Sequence, residues 1–159
     1  MQQPQSIQLV AEFHRTFKHP ILSEPSIPDE KRCKLRVDLI AEELKELEES
    51  IGAKDMVGIA DALCDIEYVL SGAILEFGLG EKFKALFEEV QRSNMSKACR
   101  SEEEAIRTVE FYKAKDGTEC YYRREGHKWL VYRKSDNKTI KSIGYSPADL
   151  QRILNNPTI

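Results

Sequence analysis

RVDLIAEELKELEES, residues 36–50, and IADALCDIEYVLSGA, residues 59–73, are the stretches on which the fold turns. Both carry apolar residues at helical spacing and neither holds a proline. The spacing predicts one helix from Asp29 or Glu30 to Ile51, closed by Gly52, and another from Asp55 to Phe77, stopped by Gly78 and Gly80. At about 100° per residue, Leu35, Leu39, Glu42, Glu43 and Glu46 share one arc. The apolar stripe Ile40, Leu44, Leu47 and Ile51 lies beside it. In the next helix Gly58, Asp61, Asp65, Tyr68 and Gly72 share an arc, flanked by Ile59, Ala62, Leu63, Ile66, Leu70, Ala73 and Phe77. Packing the two stripes together brings Glu42, Glu43, Glu46, Asp61 and Asp65 to one edge of the seam.

Carboxylates gathered in this way repel each other unless something neutralises them. A hard divalent cation with oxygen ligands does so, and Mg²⁺ held by a few carboxylates and substrate phosphates is the usual arrangement. The competing reading is a solvated Glu-rich helix face, common on protein surfaces. Two features weigh against it. The acids border the apolar stripe instead of opposing it, and the following helix presents Asp61 and Asp65, i and i+4, in the matching place.

Outward from this pair, Ile7, Val10, Phe13, His14 and Phe17 form a stripe over a first helix from Ser6 to Lys18, which the proline-bearing stretch HPILSEPSIPD ends. A fourth helix covers Glu81 to Arg92. The expected class is mainly α: a four-helix-bundle-type core. After Lys97 the pattern changes. VEFYKA, TECYYRR, HKWLVYR and KTIKSI read as short strands of an antiparallel meander, following a short helix over 102–107. Ser146 and Pro147 open a last helix to Leu154. The domains read as residues 1–97, helical, and 98–159, a small β-rich appendage ending in a helix.

The 159 residues carry 24 Lys+Arg against 27 Asp+Glu, a net charge of −3 that hides a separation. Residues 107–141 hold ten Lys/Arg and five acids, so the rest of the chain is −8. No apolar run is long enough for a membrane span, and the N-terminus lacks the pattern of a signal peptide. Cys33, Cys64, Cys99 and Cys120 form no CxxC pair, so free thiols in a reducing cytoplasm are expected. His14, His19 and His127 share no spacing that suggests a metal site.

The two central helices resemble the all-α NTP pyrophosphohydrolases: the MazG-like, dimeric dUTPase-like and phosphoribosyl-ATP pyrophosphohydrolase-like group, with its signature EExxE, spacer, ExxD. Glu42, Glu43 and Glu46 match the first half; Asp65 or Asp61 matches the final Asp. EFHRTFKHP is similar to the opening helix of phage and bacterial members, EVQRSNMSK (89–97) to their segment after the fourth helix, and KTIKSIGYSPADLQRIL (138–154) to their closing stretch. Residues 98–137 stand between those last two as an insertion. One departure stands out: the ExxD glutamate falls on Ala62 or Gly58, depending on register.

The resemblance implies hydrolysis of a nucleoside triphosphate to monophosphate and pyrophosphate, of house-cleaning or dUTPase/dCTPase type, with Mg²⁺ (or Mn²⁺) as cofactor. Glu43, Glu46 and Asp65 would ligate the metal with Asp61 as fourth ligand, and Glu42 would hold a further metal or orient the attacking water. Arg36, Lys97, Asn94 and Tyr68 are candidates for substrate contacts: Arg36 and Lys97 to phosphate, Asn94 to a base edge, Tyr68 to a base or sugar. Each has a structural alternative: Arg36 and Lys97 solvated, Asn94 a helix C-cap, Tyr68 a core residue. By analogy the protein is a homodimer built on helices. Two other functions compete. One is a catalytically weakened member acting as a helical interaction module. The other is nucleic-acid binding through YYRREGHKWLVYRK, where aromatics alternate with cations. Alternation also gives any hairpin one aromatic and one charged face, so nucleic acid is not the expected partner.

Overall fold

A computed structural model describes residues 5–155. The elements are α1 (Ser6–Phe17), α2 (Glu30–Ala53), α3 (Met56–Glu76), α4 (Phe83–Met95), α5 (Glu102–Asp116), β1 (Cys120–Glu125), β2 (Lys128–Arg133) and α6 (Leu150–Asn155). The mainly helical class, with a small antiparallel sheet and a final helix, is the expected one. The chain divides into two compact units that part at Phe83–Lys84. The change of pattern in the sequence falls later, after Lys97.

In the first unit α3 is the centre, with α1 and α2 packed against it. Asp29 caps α2 by accepting from Arg32 N, and Asp55 caps α3 by accepting from Val57 N. The turn between these helices is not made by Gly52: α2 continues to Ala53, and Lys54 ends it in the left-handed conformation at φ 57°. The proline-bearing loop after α1 is tied to the end of α3, where Leu22 N donates to Leu75 O and Ser26 N to Phe77 O. Gly78 makes that closeness possible. Its φ is +67°, and a Cβ there would collide with the Glu24 carbonyl.

The buried apolar residues of this unit are few and mostly small: Val10, Ala11, Ala62, Ala73, Ile74 and Leu75. The stripe expected to be core on α2 is only partly so. Ile40 and Leu47 are half-buried, while Leu44 and Ile51 are exposed. The one residue that α2 buries fully is Arg36.

The second unit differs from its expected form in the extent of its β structure. VEFYKA is not a strand: it belongs to α5, which Ser101 caps through Glu104 N, and which runs to Asp116 with Gly117 closing it. Three glutamates in the first turn and two lysines in the last complement the helix dipole, and this outweighs the β preference of Val109, Phe111 and Tyr112. The sheet is a single hairpin in which Tyr122 faces Val131 and Tyr121 faces Tyr132. KTIKSI adds only a bridge from Thr139 to Tyr132. Tyr122 and Trp129 pack with Val109, Tyr112 and Ile140 around Cys99, Ala105, Cys120 and Val131. Tyr121 and Tyr132 stack on the other face, at a centroid distance of 5.5 Å.

The closing stretch returns to α4. Ser93 Oγ donates to the Tyr145 hydroxyl, Ser146 N to Ser96 Oγ, Arg92 to Pro147 O, and Asp149 N to Glu89 Oε1. α6 starts later than Ser146 because Asp149, not Ser146, provides its cap, accepting from Arg152 N. All four cysteines are free thiols, and no helix among the described residues is long and apolar enough to cross a membrane.

Candidate active site

α2 and α3 pack along each other, and the charges of four of the expected acids act on the fifth, Glu43. Glu43 and Asp65 are half-buried; Glu42, Glu46 and Asp61 are exposed. Burial raises the Glu43 carboxyl above its ordinary range, and the charges of Asp65, Glu46, Glu42 and Asp61 push it further the same way. All five therefore share one electrostatic neighbourhood centred on Glu43. Among the described residues none of the five forms an ion pair, although Lys45 and Lys34 on the same helix pair with Glu49 and Asp38.

Their side chains stand apart: among the described residues no group of three or more His, Cys, Asp or Glu is close enough to hold a metal ion as placed. The donor chemistry nevertheless fits a hard divalent cation, since every donor is a carboxylate and the charge is uncompensated. The two positions at which the ExxD glutamate could fall differ in kind. Ala62 is buried, at 2% exposure. Gly58 lies against α2, where a Cβ would come within 2.6 Å of Ser50 Oγ. Neither is an open position for a carboxylate.

Arg36 is placed otherwise than as a free phosphate contact. It is buried, and its guanidinium pairs with Glu76 at the end of α3, which Arg32 also engages. Burial opposes the charge on Glu76, but the hydrogen bonds from Arg36 and Arg32 outweigh it and hold the carboxyl below its ordinary range. His14 completes the group. Its Nδ1 lies 2.8 Å from Pro20 O, so this nitrogen carries the proton, and Nε2 lies 3.4 Å from Arg36 Nη2. Burial lowers the His14 pKa, consistent with a neutral ring beside a guanidinium. Gly72 allows the approach, since a Cβ there would stand 2.6 Å from Arg36 Nη1. Arg36 Nε is buried without a hydrogen-bond partner among the described residues.

Beside this group is a cavity of about 160 Å³ lined by Phe13, His19, Leu35, Arg36, Leu39 and Tyr68, among others. Phe13 stacks on His19 (5.7 Å, 11°) and meets Tyr68 edge-on (5.7 Å, 79°). Tyr68 follows Asp65 by three residues and Leu39 precedes Glu43 by four. The cavity therefore lies about one helical turn, about 5 Å, along the seam from the carboxylates. Tyr68 is a cavity residue, partly exposed, and not core.

Asn94 and Lys97 belong to the second unit, where Lys97 Nζ donates to Asn94 Oδ1 at 2.9 Å. Asn94 lies within α4 and is not a left-handed cap. Lys97 O also accepts from Ser142 N, and the Tyr145 hydroxyl, lowered in pKa by the Ser93 hydrogen bond, feels the charges of Lys141 and Lys97. His14 and Glu76 escaped the sequence reading. His14 looked like one more residue of an apolar stripe, and Glu76 ends the apolar run SGAIL with nothing nearby to mark a partner.

The family model for phosphoribosyl-ATP pyrophosphohydrolase matches residues 10–94, more than half of the chain and all of the carboxylate seam. The chain belongs to this family. The family's description names a pyrophosphohydrolase, an enzyme that hydrolyses a phosphoanhydride of a nucleotide. An uncharacterized protein of Acanthamoeba polyphaga mimivirus is 37% identical over 98 residues, covering 59% of this chain and 39% of the viral protein. The chain thus spans about two fifths of the length of that relative.

Proposed function

We propose that the chain is a Mg²⁺-dependent nucleoside triphosphate pyrophosphohydrolase, with Mn²⁺ as an alternative metal. The observation that carries this reading is the Glu43 neighbourhood: five carboxylates on two packed helices, one of them raised in pKa by burial and by the other four, and none paired with a cation among the described residues. Glu43, Glu46, Asp65 and Asp61 would hold the metal. When bound, the cation neutralises charge on the triphosphate and on the leaving pyrophosphate. Glu42 orients a water for in-line attack on the α-phosphorus and accepts its proton. The bond from that phosphorus to the bridging oxygen breaks, pyrophosphate leaves with the electron pair, and the monophosphate remains.

The cavity one turn away supports a nucleotide over a bare phosphoanhydride. Phe13 and Tyr68 offer faces and edges for a planar ring, and an acceptor on that ring would satisfy Arg36 Nε. The Arg32–Arg36–Glu76–His14 group positions α1, α2 and α3 around it.

The test is release of pyrophosphate from a panel led by dUTP, dCTP and damaged nucleoside triphosphates, with Mg²⁺ and with EDTA. Expected is turnover that EDTA abolishes, and that Glu46→Gln or Glu43→Gln lowers at least 100-fold in kcat/KM with the fold intact by circular dichroism. No turnover of any nucleotide, together with a Mg²⁺-independent melting temperature in both parent and Glu46→Gln, would overturn the reading. Ala62 and Gly58, standing where the family glutamate is expected, favour a second reading: a weakened member that acts as a helical interaction module. In either case the unit's exposed apolar helix faces support a homodimer.

A further inference from the structure

The second unit contains a cavity of about 440 Å³ that the hydrolase reading does not use. It is bounded by the loop after α4, the start of α5 and the turn of the hairpin, all within that unit. Its volume is within the range of small-molecule sites. Met95 and Ala98 give it an apolar wall, and Arg100, His127 and Lys128 line it with cationic or titratable groups.

The backbone fixes two of these cations side by side. Cys99 and Trp129 exchange both backbone hydrogen bonds, N to O at 2.8 and 3.0 Å, in an antiparallel bridge. The next residues outward on the two chains are Arg100 and Lys128, so the register makes them cross-chain neighbours. Like charges so placed are destabilising unless something lies between them.

Nearby acids do not remove the excess. Glu125 pairs with Lys128 in the hairpin register, but its carboxylate is held by Arg123 at 3.0 Å. Glu104 lines the cavity, its oxygens accepting from Arg100 N and from Ser142 Oγ, and its single negative charge also acts on Arg100. The further lining residue Arg92 is balanced by Glu89. Two side-chain cations therefore face one engaged carboxylate.

We propose that this cavity binds a nucleotide-sized phosphorylated molecule, its phosphate bridging Arg100 and Lys128 with His127 as a further donor, and its body against Met95 and Ala98. The carboxylate seam plays no part in this binding and is silenced in the test. The full chain carrying Glu46→Gln, in EDTA, is titrated calorimetrically with adenosine 5′-monophosphate and with adenosine. Expected is one site per chain for the monophosphate, weakened by added salt, about tenfold weaker in Arg100→Ala and in Lys128→Ala, and retained in Lys128→Arg.

Without ligand, Arg100→Ala should melt close to its parent, because it relieves the like-charge contact with Lys128 and loses the attraction of Glu104, while the melting shift given by the monophosphate disappears. Equal binding of adenosine, unchanged affinity in both alanine variants, or binding of a single-stranded oligonucleotide with none of the monophosphate would each overturn the proposal. If Arg100→Ala is unfolded, Lys128→Gln decides by the same titration.

Discussion

At the scale of single residues, the centre of the first unit is polar. Glu76, 1% exposed, receives two arginines, and Arg36 has His14 and Gly72 against it. Removing the carboxylate leaves a buried guanidinium without its counter-charge, which costs about 3–5 kcal/mol in comparable buried pairs. Glu76→Ala should therefore lose about that much stability in urea denaturation. Arg32→Ala, at a partly exposed position, should lose less. Replacing both members, Glu76→Leu with Arg36→Leu, should cost clearly less than the two single losses added, because neither partner remains buried alone. Equal and additive losses would show that the pair is not coupled. The same residues show why the site was only half legible. The carboxylates Glu42, Glu43, Glu46, Asp61 and Asp65 repeat at helical spacing, so a wheel groups them. Arg36 sits on the same wheel, but what neutralises it lies forty residues away in sequence at Glu76, and no periodicity connects the two.

At the scale of elements, α4 and the closing stretch are joined across the inserted residues by side-chain contacts. Glu89 is central: hydrogen bonds from Arg92 and from Asp149 N hold its carboxyl down to about 2. Its folded pKa is lower than its unfolded value, so its contribution is complete above about pH 4.5 and disappears as pH falls toward 2. Glu89→Gln should flatten the stability of the chain over that window. It should also speed amide exchange at Asp149, whose N–H loses a charged acceptor. Unchanged exchange there would show that the contact carries no stability. The helices α1 to α4 were readable from their apolar period, and for α2 and α3 the capping residues Asp29 and Asp55 also marked the starts. α5 and the strands were not: Val109, Phe111 and Tyr112 resemble a strand locally, and only the capping at Ser101 and the charges at both ends of the segment favour a helix. Tyr122 and Trp129, two aromatics of the competing nucleic-acid reading, pack against the core, as the alternation of the hairpin suggested.

At the scale of the whole molecule, charge and apolar surface are both unevenly distributed. Residues 1–83 hold nine Lys/Arg against sixteen Asp/Glu, and residues 84–157 hold fifteen against eleven, so the separation seen in the sequence follows the two compact units. Exposed apolar residues line both long helices of the acidic unit. Val37, Leu44 and Ile51 on α2 are 66%, 58% and 57% exposed, and Met56, Leu63 and Leu70 on α3 are 73%, 51% and 43% exposed. Each set repeats every seven residues, which places it along one line of its helix and gives the spacing of a helix–helix seam. α2 buries no apolar residue of its own, and a helix of that length draws most of its stability from burying an apolar face. A second copy of the chain, covering these lines, would account for both facts. The expected state at micromolar concentration is therefore a homodimer by sedimentation. Ile51→Arg combined with Leu70→Arg should return a monomer with a lower melting temperature, since each buried leucine or isoleucine is worth about 1.5–3 kcal/mol. A parent that sediments as a monomer, with a melting temperature independent of concentration, would instead leave α2 stabilised by Arg36 and its half-buried residues alone, and would sink the dimer.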